Sequence, residues 1–431
     1  MAQLAISDSE LRKLDDKIMN GEIIPSRLWD DKYKMTMNRF IRKYYPKIFV
    51  TWKFKNRTTS VRILDHVSGY TLEKELSKIE MLAYTEDELN WIKQTNQDNP
   101  MSDSEFIQEL RDSRISPVTF EPGDDGQPKI DCGGIWADSS PSEIHTLRVV
   151  NTLYFRSILE TKTEAERFEI YREGIRRLTA GVELLLEHPY VNFTEFGNRR
   201  SFNAAWHDFL LGYLVEVLPS TQLLGTSNMY LAKKYNIAAK GTIAHEMSMV
   251  IAALMFNGTF ESLKESFILL HKQWLDFYQG KFNVMLTDTF GTKFAFEVLP
   301  DWLFKEYTTF REDSMGPEKY TEYLIAKLNS LSINPKDITS FSSDGLTVEA
   351  MIEHATKFLG IIQTTYGPGT HLTNNLGIKP LSIVSKVHTA DGEYCVKLSD
   401  NLEKATGNKE TVEAVKRALG YKETHSEVCE V

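Results

Sequence analysis

Apolar positions along the first third of this chain change period more than once. Over residues 7–45, Leu11, Leu14 and Ile18 recur at helical spacing, which predicts helix. The stretch IFVTWKF (48–54) alternates instead. Phe49, Thr51 and Lys53 fall on one side and Val50, Trp52 and Phe54 on the other, the pattern of a half-buried strand. Residues 70–115 return to helical spacing, interrupted at NQDNP, and the turn-rich EPGDDGQPKIDCGG (121–134) predicts a hairpin or loop.

From about residue 141 helical stretches (164–187, 200–215, 260–279, 317–331, 347–359) alternate with short apolar runs that end in Gly, Asp, Ser or Thr. The runs are TEFG (194–197), TQLLGTSN (221–228), AAKGTIAHE (238–246), NVMLTDTFG (283–291), TTFREDS (308–314), ITSFSSDG (338–345) and TTYGPGT (364–370). Strand, polar end, helix, repeated at roughly thirty-residue spacing, is the signature of a parallel α/β sheet. Seven such units predict a closed β/α barrel, with its chemistry at the C-terminal strand ends. Beyond residue 380, LSIVSKVHTADGEYCVKLSD predicts a hairpin of 381–388 and 394–398 turned by Ala-Asp-Gly, ahead of an acidic tail from Lys422 expected to fray. The expected organisation is α/β: an N-terminal α+β lobe over 1–140, a barrel over 141–380, and a C-terminal hairpin and tail over 381–431 that packs back on the first lobe.

The chain's 431 residues are 42% apolar and 26% charged, enough for a substantial core in an ordinary soluble protein. A net charge of −10 argues against a bulk nucleic-acid binder but leaves room for a small basic pocket and an anionic substrate. Cys132, Cys395 and Cys429 are odd in number, far apart and form no CxxC, which predicts a reducing compartment without disulfides or a zinc cage. The polar start is no secretory signal, and the longest apolar run, 249–256, is too short to span a bilayer. A cytoplasmic protein with no membrane or nucleic-acid partner is expected.

No GxxxxGK[ST] loop and no GxSxG elbow occurs, GPGTHL (367–372) lacks the third glycine of a dinucleotide fingerprint, and HEMSM (245–249) puts Met249 where a zinc motif needs histidine. Small polar strand ends remain. Singly, His245 would be a core histidine, Gly367–Gly369 a turn, and Asp288, Asp313 and Asp344 helix caps. Their alternative roles are a nucleophile or base, a backbone phosphate cradle, and ligands for sugar hydroxyls and a hydrated metal.

Together these segments resemble the nicotinate phosphoribosyltransferases and the related nicotinamide enzymes. EFGNRRSF (195–202) is similar to that family's D-F-G-x-R-R-x-F, GTSNMYLAKKY (225–235) to its G-T-S-N-x-x-L-A, and GTIAHE (241–246) to its G-T-x-A-H-E. LTDTF, REDS, SSDG, YGPGTHL and KPLSIVSKV…VKLSD follow in the family's order, and WDDKYKMTM (29–37) resembles its D-x-Y-K-x-x-M. The resemblance runs from about residue 28 to 407 and implies an irregular β/α barrel of the type II phosphoribosyltransferase kind.

It also implies an activity: transfer of phosphoribosyl from phosphoribosyl pyrophosphate to the ring nitrogen of a pyridine carboxylate, with Mg²⁺ and, in many members, ATP that phosphorylates the motif histidine. By that resemblance His245, Arg311, Asp313 and Asp288 are the catalytic set, with Asp313 on the ribose hydroxyls and Asp288 near the reacting carbon. Mg²⁺ would ride mainly on the pyrophosphate, with Asp288 a further ligand. Phe196 and Arg311 would sandwich the pyridine, with Arg199, Thr226 and Ser227 near its carboxyl group. Ser343, Asp344, Gly345, Gly367, Gly369 and Thr370 would cradle the phosphosugar. Asp31 and Tyr33 resemble residues that reach into a partner's site, so a homodimer with shared sites is expected.

Nicotinamide-using members tend to carry Asp where this chain has Ser227, so GTSN leans toward nicotinate. The departures cluster at the donor: Met315 replaces a family glycine, SSDG differs from F-S-D-N, and His371 stands where many members have Arg. They keep open a nicotinamide-using variant, a larger donor such as ADP-ribose pyrophosphate, and an inactive binding relative.

Overall fold

A computed structural model describes residues 6–401 and 404–421; the tail from Lys422, with Cys429, lies outside these. In chain order the strands are β1 Phe49–Asn56, β2 Val118–Pro122, β3 Pro128–Ile135, β4 Phe193–Glu195, β5 Leu223–Thr226, β6 Val284–Leu286, β7 Thr309–Glu312, β8 Thr339–Ser342, β9 Gln363–Tyr366, β10 Ile383–Ala390 and β11 Glu393–Tyr394.

β1, β2, β3, β10 and β11 form an antiparallel sheet in the order β11-β10-β1-β3-β2, so the C-terminal hairpin adds its strands to the N-terminal ones. The alternation in β1 decides its faces: Val50 and Trp52 are buried while Phe49 stays half exposed. The β10–β11 turn places Asp391 at φ +46° and Gly392 at φ +91°, the left-handed pair that a tight two-residue hairpin turn needs.

The second sheet is parallel, in the order β5-β4-β9-β8-β7-β6. The last strand of the set lies beside the first, β9 against β4, as ring closure requires. The break falls between β5 and β6. There the third of the seven expected strands, AAKGTIAHE, makes only a single bridge, Thr226 to Ala239, before the helix His245–Met255 begins. The reason is steric and local. A Cβ on Gly241 would lie 2.5 Å from the Tyr33 backbone nitrogen, and the Gly241 carbonyl accepts from Thr36 Oγ1. The N-terminal helix Lys32–Tyr44 thus takes the place of a neighbouring strand.

The expected helices form outside this ring, at Glu164–Glu187, Ala204–Val217, Phe260–Tyr278, Pro317–Ser330 and Val348–Phe358. The caps at the strand ends are Gly291, Gly316 and Thr347, so none of Asp288, Asp313 and Asp344 serves as a helix cap. Asn228, not Ser227, caps the helix after β5. Capping leaves all four of those polar groups free for other work.

Candidate active site

The C-terminal ends of β4, β5, β7, β8 and β9 open into one cavity of about 520 Å³, roofed by β10 and the chain after it. Phe196 and Arg199 follow β4, and Ser227 follows β5. Arg311 lies in β7, and Asp313 follows it. Ser343, Asp344 and Gly345 follow β8; Gly367, Gly369 and Thr370 follow β9. All line the cavity.

The Arg311 guanidinium carbon lies 5.5 Å from the Phe196 ring centre and 5.6 Å from that of Phe341. A flat ring held on both faces needs about 7 Å, twice a carbon–carbon contact of about 3.5 Å. The slot therefore opens by about 1.5 Å to accept a ring between Phe196 and Arg311. Ser343 Oγ accepts from Arg311 Nε at 2.9 Å and lies 3.1 Å from Asp313 Oδ1, so it fixes the arginine rather than a phosphate.

Asp31 and Tyr33, expected to reach into a partner's site, line the cavity of their own chain. Asp31 Oδ1 accepts from Ser227 Oγ at 2.6 Å. Burial raises the Asp31 pKa, with Ser227 and Arg199 opposing. Thr226 departs from expectation too. It is absent from the cavity wall because its hydroxyl donates to buried Glu195 at 2.5 Å. Glu195 also accepts from the Gly197 N–H and lies 2.9 Å from His207 Nε2, so it ties the loop after β4 to the loop after β5. Gly367 lines the cavity, but its N–H already donates to the Ser342 carbonyl at 2.9 Å.

Cations converge on the same cavity. Arg57, Arg200, Lys386, Lys397 and Lys404 share the wall with Arg199 and Arg311, against Asp31, Asp313 and Asp344. Burial and the neighbouring Arg199 and Arg57 pull Arg200 down to about 10. Burial pulls Lys386 down to about 8; Arg199, Lys397 and Arg57 add to it and Glu143 opposes. Groups that depress one another in this way gain most when a polyanion enters. Lys404 links the ends of β7 and β8, 2.5 Å from Asp344 Oδ2 and donating to the Asp313 carbonyl at 2.9 Å.

His245 sits behind this wall, almost fully buried, at the start of its helix. Its Nδ1 lies 3.0 Å from Thr289 Oγ1; its Nε2 lies 2.9 Å from Lys397 Nζ and 3.1 Å from Asp313 Oδ2. Burial and Lys397 lower its pKa to about 4, against Asp288 and Asp313, so the imidazole is neutral at pH 7. Burial pushes Asp313 up, yet His245, Lys397, Arg311 and Lys404 together hold it well below the usual carboxylate range.

His245, Asp288 and Asp313 bring potential ligand atoms within 4.8 Å of one another. They do not make a resident Mg²⁺ cage. Lys397 Nζ lies 2.9, 3.6 and 3.9 Å from the three side chains, filling their centre. Asp288 is fully buried, with Oδ2 already bonded to Ser314 Oγ at 2.7 Å.

Sequence reasoning assigned no role to Lys386, Lys397, Glu195, His207 or Glu143. Lys386 and Lys397 stand inside the quoted KPLSIVSKV and VKLSD segments, so a signal was present. Glu195 begins EFG, but its partner His207 carries no motif.

A parallel ring whose cavity combines an aromatic–guanidinium slot with clustered cations suits a transferase that joins a flat ring to an anionic group. Residues 191–423 match the nicotinate phosphoribosyltransferase (NAPRTase) family and residues 28–151 the NAPRTase N-terminal domain. The chain belongs to that family and is a phosphoribosyltransferase. Among solved structures it is similar to the nicotinate phosphoribosyltransferase of Porphyromonas gingivalis (27% identity, TM-score 0.82, covering 92% of this chain and 100% of that one). It is also similar to that of Vibrio cholerae (25%, 0.83, 95% and 96%). A putative nicotinate phosphoribosyltransferase from Saccharomyces cerevisiae is a third (26%, 0.81, 94% and 100%). No helix among the described residues is long and apolar enough to cross a membrane.

Proposed function

We propose that this chain joins nicotinate to phosphoribosyl pyrophosphate, giving nicotinate mononucleotide and pyrophosphate for NAD salvage. The observation that carries this reading is the single cavity whose wall joins an aromatic–guanidinium ring slot, a set of cations and Asp313. The pyridine nitrogen lone pair forms the bond to C1′ as the C1′–O bond to pyrophosphate breaks. No proton need move, so the residues position groups and stabilise charge. Phe196 and Arg311 orient the ring, and Arg199 meets its carboxylate. Asp313, held ionised, takes the ribose hydroxyls and faces the cationic sugar. Arg200, Lys386 and Lys397 receive the pyrophosphate.

ATP assistance through His245 belongs to the same proposal. The tautomer with its proton on Nδ1, facing Thr289 Oγ1, would leave the Nε2 lone pair toward Lys397, the form a phosphoryl acceptor needs. Lys397 then lies where it offsets the charge of the phosphorylated ring. Mg²⁺ is brought by the pyrophosphate.

A second reading changes the substrates. Added Cβ atoms on Gly316 and Gly345 would meet nothing within 4 Å, which leaves space for a larger 5′ substituent, as in ADP-ribose pyrophosphate. Asp31 beside Ser227 places a carboxylate where an amide could donate, which suits nicotinamide. A matrix of both bases against both donors, with product masses, tests these readings. Nicotinate with phosphoribosyl pyrophosphate is expected to give the mononucleotide and pyrophosphate; no turnover with either base sinks the proposal.

A further inference from the structure

Five charged side chains, Glu246, Lys34, Glu143, Arg199 and Lys386, are linked from the interior to the cavity wall, and only Arg199 among them carries an expected role. Lys34 is buried, with Nζ 2.8 Å from Glu143 Oε2, 2.7 Å from Glu246 Oε2 and 3.1 Å from Ser140 Oγ, so its three N–H bonds are all engaged. Glu143, in the first turn of the helix Ser142–Glu160, turns its other oxygen to the cavity wall. There Oε1 lies 3.3 Å from Arg199 Nη1 and 3.5 Å from Lys386 Nζ. Glu246, next to His245, accepts from Trp136 Nε1 at 2.6 Å.

Buried ion pairs of this kind hold a fold no better than apolar residues of the same volume. An apolar residue could not hold two like charges side by side on a wall. Glu143 does so with one oxygen, and its charge opposes the loss of the Lys386 proton that burial favours.

We propose that Glu143 is a positioning residue that sets Arg199 and Lys386 on the cavity wall, one toward the carboxylate of the base and the other toward the pyrophosphate. The base half rests on the proposed reaction; the pyrophosphate half does not. Calorimetry with sodium pyrophosphate and nicotinate steady-state kinetics on the full chain test both.

Deleting a negative charge from a cationic site would, by field alone, tighten anion binding. Positioning predicts the opposite sign. Glu143→Gln weakens pyrophosphate binding about tenfold, the scale of one displaced charged hydrogen bond. It raises the nicotinate KM by a similar factor while kcat stays within about threefold. Glu143→Asp keeps the charge, shortens its reach, weakens binding in the same direction, and carries the test should the glutamine variant not fold. Lys34→Met breaks the same buried pair from its far side; it lowers Tm and weakens both binding terms by less than Glu143→Gln does, because the Glu143 charge beside Arg199 and Lys386 remains. Unchanged or tighter pyrophosphate binding in folded Glu143→Gln or Glu143→Asp overturns the proposal, as does equal weakening in Lys34→Met. Absence of nicotinate turnover in the unaltered chain overturns the reaction alone, because the pyrophosphate measurement still reads Glu143.

Discussion

Gly367→Ala separates two readings of one glycine. The position has an ordinary negative φ, so alanine brings no backbone strain, only a methyl group. That Cβ would lie 2.7 Å from Phe196 Cδ2, 3.1 Å from Phe196 Cε2 and 3.1 Å from Phe341 Cε2. Ordinary carbon contacts are about 3.7 Å, so the Phe196 ring must shift by about 1 Å. This is the ring that must also yield about 1.5 Å for an acceptor to enter beside Arg311. Overpacking of this size costs about 1–3 kcal/mol. Borne by the acceptor slot, it raises the nicotinate KM by about 5- to 150-fold. The assay is steady-state kinetics with nicotinate varied at saturating donor, then the reverse, alongside a thermal melt. The expected result is a raised nicotinate KM with the donor KM close to that of the unaltered chain. A raised donor KM with unchanged nicotinate KM would refute the reasoning, since that is the signature of a phosphate-cradling glycine. A lowered Tm with both KM values unchanged would refute it as well.

Other outcomes follow from the buried charges. His245→Asn should abolish the ATP-dependent gain in mononucleotide yield while leaving some ATP-independent turnover; a full ATP response in that variant removes the proposed role. Glu312 is buried, and burial with Asp344, Asp313 and Asp288 nearby pushes it up to about 8. A carboxyl whose folded pKa is raised holds its proton longer than in the unfolded chain. Stability therefore falls as pH rises from about 4.5 to about 8, and Glu312→Gln should gain up to about 3 kcal/mol at pH 7; a denaturant series in which the variant is less stable at pH 7 than at pH 4.5 relative to the unaltered chain contradicts this. Mg²⁺ titrated alone should give no high-affinity heat, and binding should emerge with pyrophosphate; a tight site in the absence of anion would restore Asp288 as a ligand.

Much of this architecture is legible in hydrophobic spacing, because a strand end that carries a Gly, Asp, Ser or Thr cluster declares both its element and its face. The segment AAKGTIAHE misleads for a physical reason. Apolar spacing records burial, but this run is buried only at Ile243, His245 and Glu246, and the helix Lys32–Tyr44 meets its backbone where a strand would. Thr226 and Gly367 make a similar point. Residue type announces a donor, and only the fold tells that Glu195 and the Ser342 carbonyl have already taken it. Lys34 and Glu246 are 212 positions apart, so no periodicity could have paired them. Lys386 and Lys397 stood inside quoted segments, and the cationic demand of a pyrophosphate could have drawn attention to them.

Asp31 and Tyr33 reach the acceptor end from the polypeptide that also supplies Phe196 and Ser227, locked there by the Lys32 N–H to Ser227 carbonyl bond of 2.7 Å. Within one polypeptide these two side chains thus meet Phe196 and Ser227 by intramolecular closure, at an effective concentration set by the fold.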